Sequence, residues 1–165
     1  MPLTGLEIVS LVSAILSFID FSAKIVHGTA EILRSEVGAT EQNTHITNVV
    51  ADLEKVTRGL KTHQQAVKDA DLVRLAGQCE ALSVELSQLL QNLLPKNKSL
   101  PETVKASLKA WRKQPKVAEM EKRLGEYRSQ VLLRLAFIAL LVKMKSDDAA
   151  FERGHGTNTM QGQRI

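Results

Sequence analysis

Apolar residues recur along the chain at helical spacing in four long stretches, and the first of them is apolar on almost every side. Between Leu3 and Val26, Ser10, Ser13, Ser17, Asp20 and Lys24 fall in one stripe about 80° wide when the segment is wound as a helix. Leu6, Ile8, Val9, Leu11, Val12, Ile15, Leu16, Phe18, Ile19, Phe21, Ile25 and Val26 cover most of the remaining surface. A helix lying on a protein surface needs one apolar face, whereas one that is apolar nearly all round must be buried or enter a membrane. Its uncharged core, Ile8 to Ile19, is 12 residues. That is about 18 Å of helix, short of the roughly 30 Å of a bilayer core. An ordinary transmembrane anchor is therefore not expected. A signal peptide is not expected either, because no basic residue precedes the run and Glu7 sits inside it. The pattern predicts the central helix of a bundle, with the sharper option that the same helix leaves the bundle for lipid.

The first helix is expected to begin near Thr4 and to continue to about Glu36, with Gly28 as a weak point and Gly38 as a C-cap. Thr40 is a candidate cap for a second helix, whose apolar positions Ile46, Val49, Val50, Leu53, Val56, Leu60 and Val67 keep steps of three, four and seven. Asp69 or Asp71 opens a third helix with Leu72, Leu75, Ala76, Cys79, Leu82, Leu86, Leu89, Leu90 and Leu93 on its buried face, and Pro95 closes it. Ser99-Leu100-Pro101-Glu102 has the form of a capping box, with Pro101 in the first turn of a short helix that runs to about Lys113. Pro115 interrupts that helix. The last helix, Lys116 to about Glu152, carries Val117, Met120, Leu124, Tyr127, Val131, Leu135, Ile138 and Val142. Its later part, VLLRLAFIALLV, is again apolar on several sides and is expected to lie against the first helix. Arg134 inside that run is a candidate partner for Asp20 or Glu7. The predicted architecture is thus all-α: a four-helix bundle with an additional short helix, spanning residues 1–152, followed by a polar linker at 153–165.

Composition sharpens this picture in two places. The chain has 165 residues and few aromatics, consistent with one helical domain large enough to bury a core. Its net charge of +4 is unevenly spread. Residues 1–95 carry 7 basic and 11 acidic side chains, whereas residues 96–145 carry 13 basic and 4 acidic ones. The basic cluster Lys105, Lys109, Arg112, Lys113 and Lys116 around Trp111 therefore reads either as the solvated face of a short helix or as a surface for anionic lipid. Nucleic acid would rest on that segment alone and is not expected.

Candidate chemistry is sparse. The single cysteine, Cys79, excludes an intramolecular disulfide framework and sits on an apolar helix face, as a structural thiol would. His27, His45, His63 and His155 lack metal-ligand spacing, and no phosphate-binding loop, nucleophile elbow or zinc motif is present. Glu119, Glu121 and Glu126 alternate with Lys122, Arg123 and Arg128 as on a solvated face. No enzyme activity, cofactor or metal is expected.

Three segments carry a family resemblance: PLTGLEIVSLVSAILSFIDFSAKIVHGTAEI, GATEQNTHITNVVADLEKV and LKAWRKQPKVAEMEKRLGEYRSQVLLRL. Together they resemble the amino-terminal domain of fungal NOD-like receptors, STAND proteins in which a NACHT nucleotidase follows, over about residues 1–150. Such domains are similar to HeLo-like cell-death domains and, in architecture, to the four-helix executioner bundle of the mixed lineage kinase domain-like pseudokinase. The resemblance implies a cytoplasmic bundle that self-associates on receptor activation and damages the plasma membrane in programmed cell death. It assigns membrane insertion to Leu6, Ile8, Val9, Leu11, Val12, Ile15, Leu16, Phe18 and Ile19. Glu7 and Asp20 depart from that role, because each is expensive in lipid unless protonated or paired. The rival expectation is a non-lytic helical module that recruits a partner.

Overall fold

The computed structural model describes residues 5–34, 39–93 and 114–156, and every regular element among them is a helix. Helix α1 is Gly5–Arg34, α2 is Ala39–Gln64, α3 is Ala70–Leu93 and α4 is Pro115–Gly156. The chain divides into two compact units, Met1–Val131 and Leu132–Ile165. The all-α bundle expected from the periodicity is the observed architecture. Thr4, Gly38, Pro95, the capping box and the short helix predicted before Pro115 lie outside the described residues.

Within the first unit, α1 packs against both α2 and α3, and α2 packs against α3. Between Gly5 and His27 the buried side chains of α1 are Leu11, Val12, Ile15, Phe18, Ile19, Ser22, Ile25 and Val26. Their steps of one, three and four turn three residues in each seven toward the core, the width needed to touch two neighbours at once. The polar stripe points the other way: Ser13, Ser17, Asp20 and Lys24 are exposed and Ser10 is half-buried. Helix α1 runs unbroken through Gly28 to Arg34, and its expected end near Glu36 lies outside the described residues.

Helix α2 already includes Ala39, so Thr40 lies inside the first turn instead of capping it. Its core face is Ile46, Val50, Leu53 and Leu60, with Val49 and Val56 half-buried. Gly59 does not interrupt it. Lys61 and His63 occupy the last turn, where positive charge meets the unpaired carbonyls. The connection to α3 is short and pinned by Val67, which is buried. Asp69 then caps α3: its Oδ1 accepts the backbone N–H of Asp71 and of Leu72, each at 3.1 Å. Every residue predicted for the α3 core is buried apart from Leu89, which is half-buried.

Helix α4 starts on Pro115, whose missing N–H falls where a helix has no internal partner for it. Val117, Met120, Leu124, Tyr127 and Val131 are buried at steps of three and four, the seam spacing of a bundle helix. The expected burial of VLLRLAFIALLV is not found. Val131 is its only buried residue; Leu133 is 74% exposed, Leu140 56% and Val142 64%. From Leu132 to Arg153 no side chain is buried. Helical periodicity identifies the face a helix offers, but it does not fix how much of the helix length other elements cover. The ion pair to Asp20 is also made by a different residue, Arg128 instead of Arg134.

Candidate functional site

Among the described residues, three polar links fasten α4 to the other helices of the first unit. Arg128 Nη1 pairs with Asp20 on the exposed stripe of α1. His27 Nδ1 lies 3.2 Å from Glu121 Oε1. Arg123 Nη1 donates to both carboxylate oxygens of Glu85 on α3, at 3.0 and 2.9 Å. The Arg123 Nε also reaches Tyr127 Oη at 3.3 Å. That hydrogen bond is the largest cause of a guanidinium pKa raised above its ordinary value; burial opposes it, and Glu85 adds a smaller push upward. All three links flank the buried seam of α4. They close its edges and set its rotation, while the apolar seam supplies the adhesion. Sequence reasoning missed these partners. The signal that would have found them is the position of Arg123 and Arg128, each one residue from a seam position.

The nine residues predicted to insert into membranes fall into two groups. Leu11, Val12, Ile15, Phe18 and Ile19 are core residues, at most 4% exposed. Ile8 and Leu16 are half-buried. Leu6 and Val9, in the first turns, are 73% and 55% exposed. Glu7 is half-buried among them. When the charged residues are counted in, Gly5–His27 is a stretch of 23 residues whose mean hydropathy reaches 1.8 over an 18-residue window. At 1.5 Å per residue that is about 34 Å, enough to cross a bilayer by length and composition. A buried core helix meets the same criterion, so the length alone does not separate the two roles. Of the predicted basic surface, Lys116 is exposed in the first turn of α4. Lys105, Lys109, Arg112 and Lys113, with Trp111, lie outside the described residues.

Elsewhere among the described residues the polar groups do not converge on a reacting position. Glu54, Thr57, Arg58, Lys61, Ser83 and Gln88 line an open groove between α2 and α3. Thr57 Oγ1 donates to the Leu53 carbonyl at 2.7 Å, so the 2.7 Å contact between Thr57 and Ser83 is a bond donated by Ser83. This hydroxyl pair ties α2 to α3 and leaves neither oxygen activated. Lys61 faces Glu80 at 3.8 Å on the same side. Cys79 is fully buried, and burial, aided by the charge of Glu80, pushes its thiol up to about 12. A thiol held protonated in this way is a packing group and a poor nucleophile. Among the described residues no group of three His, Cys, Asp or Glu is placed to hold a metal ion.

Comparison with protein-family models, with curated proteins and with solved structures finds no match for this chain.

Proposed function

We propose that this chain is the cell-death effector domain of a fungal NOD-like receptor, resting as a helical bundle and permeabilising membranes through α1 once oligomerised. The observation that carries the reading is the double character of α1. It is the one described helix long and apolar enough to cross a bilayer, and five of its proposed lipid-facing residues form the resting core. An apolar helix kept in the core of a soluble bundle is harmless until it is released. Its polar stripe of Ser13, Ser17 and Asp20 lies outward at rest. In an oligomer the same stripe is suited to face other copies or a wet lumen, while leucine and isoleucine face lipid. The Asp20–Arg128 link then gives the resting state a polar latch, and its opening frees a carboxylate that needs a new partner.

In this reading the chain is cytoplasmic at rest and acts at the plasma membrane. A NACHT-type nucleotidase follows it in the same polypeptide, and anionic lipids contact the basic residues around Lys116. No cofactor or catalytic group takes part. The test is dye release from vesicles containing anionic lipid, with the domain fused to an oligomerising tag. Tagged oligomers are expected to release dye, and deletion of residues 1–20 or the double substitution Leu11→Asp, Ile15→Asp is expected to abolish release. A folded, oligomeric wild-type domain that releases no dye, yet captures one defined partner, decides for the non-lytic recruitment module.

A further inference from the structure

One position on α1 breaks the apolar rule of its buried face. Leu11, Ile15, Phe18, Ser22 and Ile25 succeed one another at steps of four, three, four and three, and all five are buried. Ser22 is the only polar side chain buried on α1 between Gly5 and His27. At 100° per residue it sits on the opposite side of the helix from the stripe of Ser13, Ser17 and Asp20. It is 0% exposed, and its hydroxyl meets no hydrogen-bond partner among the described residues.

Ser83 shows how the same bundle accommodates a core hydroxyl that it can satisfy. It is buried on α3 and donates to Thr57 Oγ1 on α2 at 2.7 Å, so a bond between helices offsets the burial of its oxygen. At Ser22 nothing offsets it: the hydroxyl has given up water and received no partner. Alanine fills nearly the same volume without that loss, so packing does not call for the oxygen. The loss also falls on the docked state of α1 alone. Once α1 parts from its neighbours, the hydroxyl can meet water or a polar group of another copy. A group that costs free energy in one state and not in the other shifts the equilibrium between them, here toward release.

We infer that Ser22 is a built-in weak point of the resting bundle, an unpaired core hydroxyl that loosens the docked α1 and lowers the threshold for its release. Its consequence at a membrane rests on the proposed function; the loosening of α1 does not, and it is read without lipid. The experiment follows native-state hydrogen exchange of α1 amides in the purified 165-residue chain, beside dye release from vesicles containing anionic lipid by tagged oligomers. Wild type, Ser22→Ala and Ser83→Ala are compared in both. Ser22→Ala is expected to slow α1 exchange and dye release about tenfold each. Ser83→Ala makes the same chemical change at a buried serine and shares alanine's gain in helix propensity. It is expected to slow neither, because it removes a bond between helices. Amides of α1 that exchange as fast in Ser22→Ala as in wild type, or a slowing that Ser83→Ala matches, overturn the inference. So does dye release by Ser22→Ala at the wild-type rate. If wild-type oligomers release no dye, the membrane reading falls, and hydrogen exchange alone decides whether Ser22 loosens α1.

Discussion

Leu11 offers the sharpest test of whether α1 is the core of the bundle. The residue is 0% exposed, and its neighbours along the seam, Ile15 and Phe18, are equally enclosed. Truncation to alanine removes apolar carbons worth about 0.8 kcal/mol each in transfer from water. The surrounding helices cannot fully collapse into the space, so a cavity term adds to this loss and the sum reaches about 2–5 kcal/mol. Domains of this size hold a net stability of about 5–15 kcal/mol, so the loss is a large fraction of the whole. With a denaturant slope of about 1–3 kcal/mol per molar urea, the midpoint falls by about 1 M or more. The control is Val9→Ala on the same helix, where the side chain is 55% exposed and alanine is the better helix former. Far-UV circular dichroism across a urea series reads both. A Leu11→Ala midpoint that matches Val9→Ala within error would show that α1 is peripheral, and the bundle described here would be wrong.

Two further outcomes follow from buried polar atoms. Unfolding releases the Cys79 thiol to titrate near 9.0, whereas the folded protein keeps it protonated to about 12. Above pH 9 the unfolded state therefore binds fewer protons than the folded one. Stability falls by about 1.4 kcal/mol per pH unit between the two values, and Cys79→Ala, compared over the same range, lacks that slope. Ser22 is 0% exposed and its hydroxyl has no hydrogen-bond partner among the described residues. Ser22→Ala is expected to raise the urea midpoint, with a gain of about 1 kcal/mol, and an unchanged or lower midpoint would mean that the hydroxyl is satisfied in solution.

The α3 face and the Asp69 cap were legible because each is a local pattern: a three-four repeat read along one helix, and an acceptor placed two and three residues before the donors it serves. The polar stripe on α1 was legible for the same reason. What failed was information about neighbours. Arg134 and Arg128 are both arginines on one helix, and only the position of α1 in the bundle selects Arg128 for Asp20. The run VLLRLAFIALLV is as apolar as the core of α1, and its burial depends on what surrounds it. Hydrophobicity states a demand for cover, and in this chain the described residues meet that demand for α1 and leave much of it open after Val131. The candidate site was legible in the same partial way. The amount of apolar surface on α1 could be read from its residues, but not the division between Leu11 or Phe18 in the core and Leu6 or Val9 at the surface.

The energetics of α1 decide how it can act. Leu11, Val12, Ile15, Phe18 and Ile19 are nearly or fully buried. At roughly 1.5–3 kcal/mol for each buried side chain, their exposure amounts to about 10 kcal/mol, as large as the net stability of a typical domain. Helix α1 therefore does not leave while α2, α3 and α4 stay as they are; release and loss of the resting packing are one event, and lipid or other copies must take up the apolar face as it appears. A covalent tie between α1 and α4 should then block the activity. Asp20 and Arg128 are in contact and half-exposed, so cysteines at both positions suit a short, cleavable bismaleimide, while Cys79 is buried with its thiol held protonated. Tagged oligomers of Asp20→Cys, Arg128→Cys are expected to release vesicle dye when untied, to stop when tied, and to resume once the linker is cut. Dye release at the same rate with the tie intact would show that α1 acts without parting from α4. The membrane-active surface would then have to be one already exposed at rest.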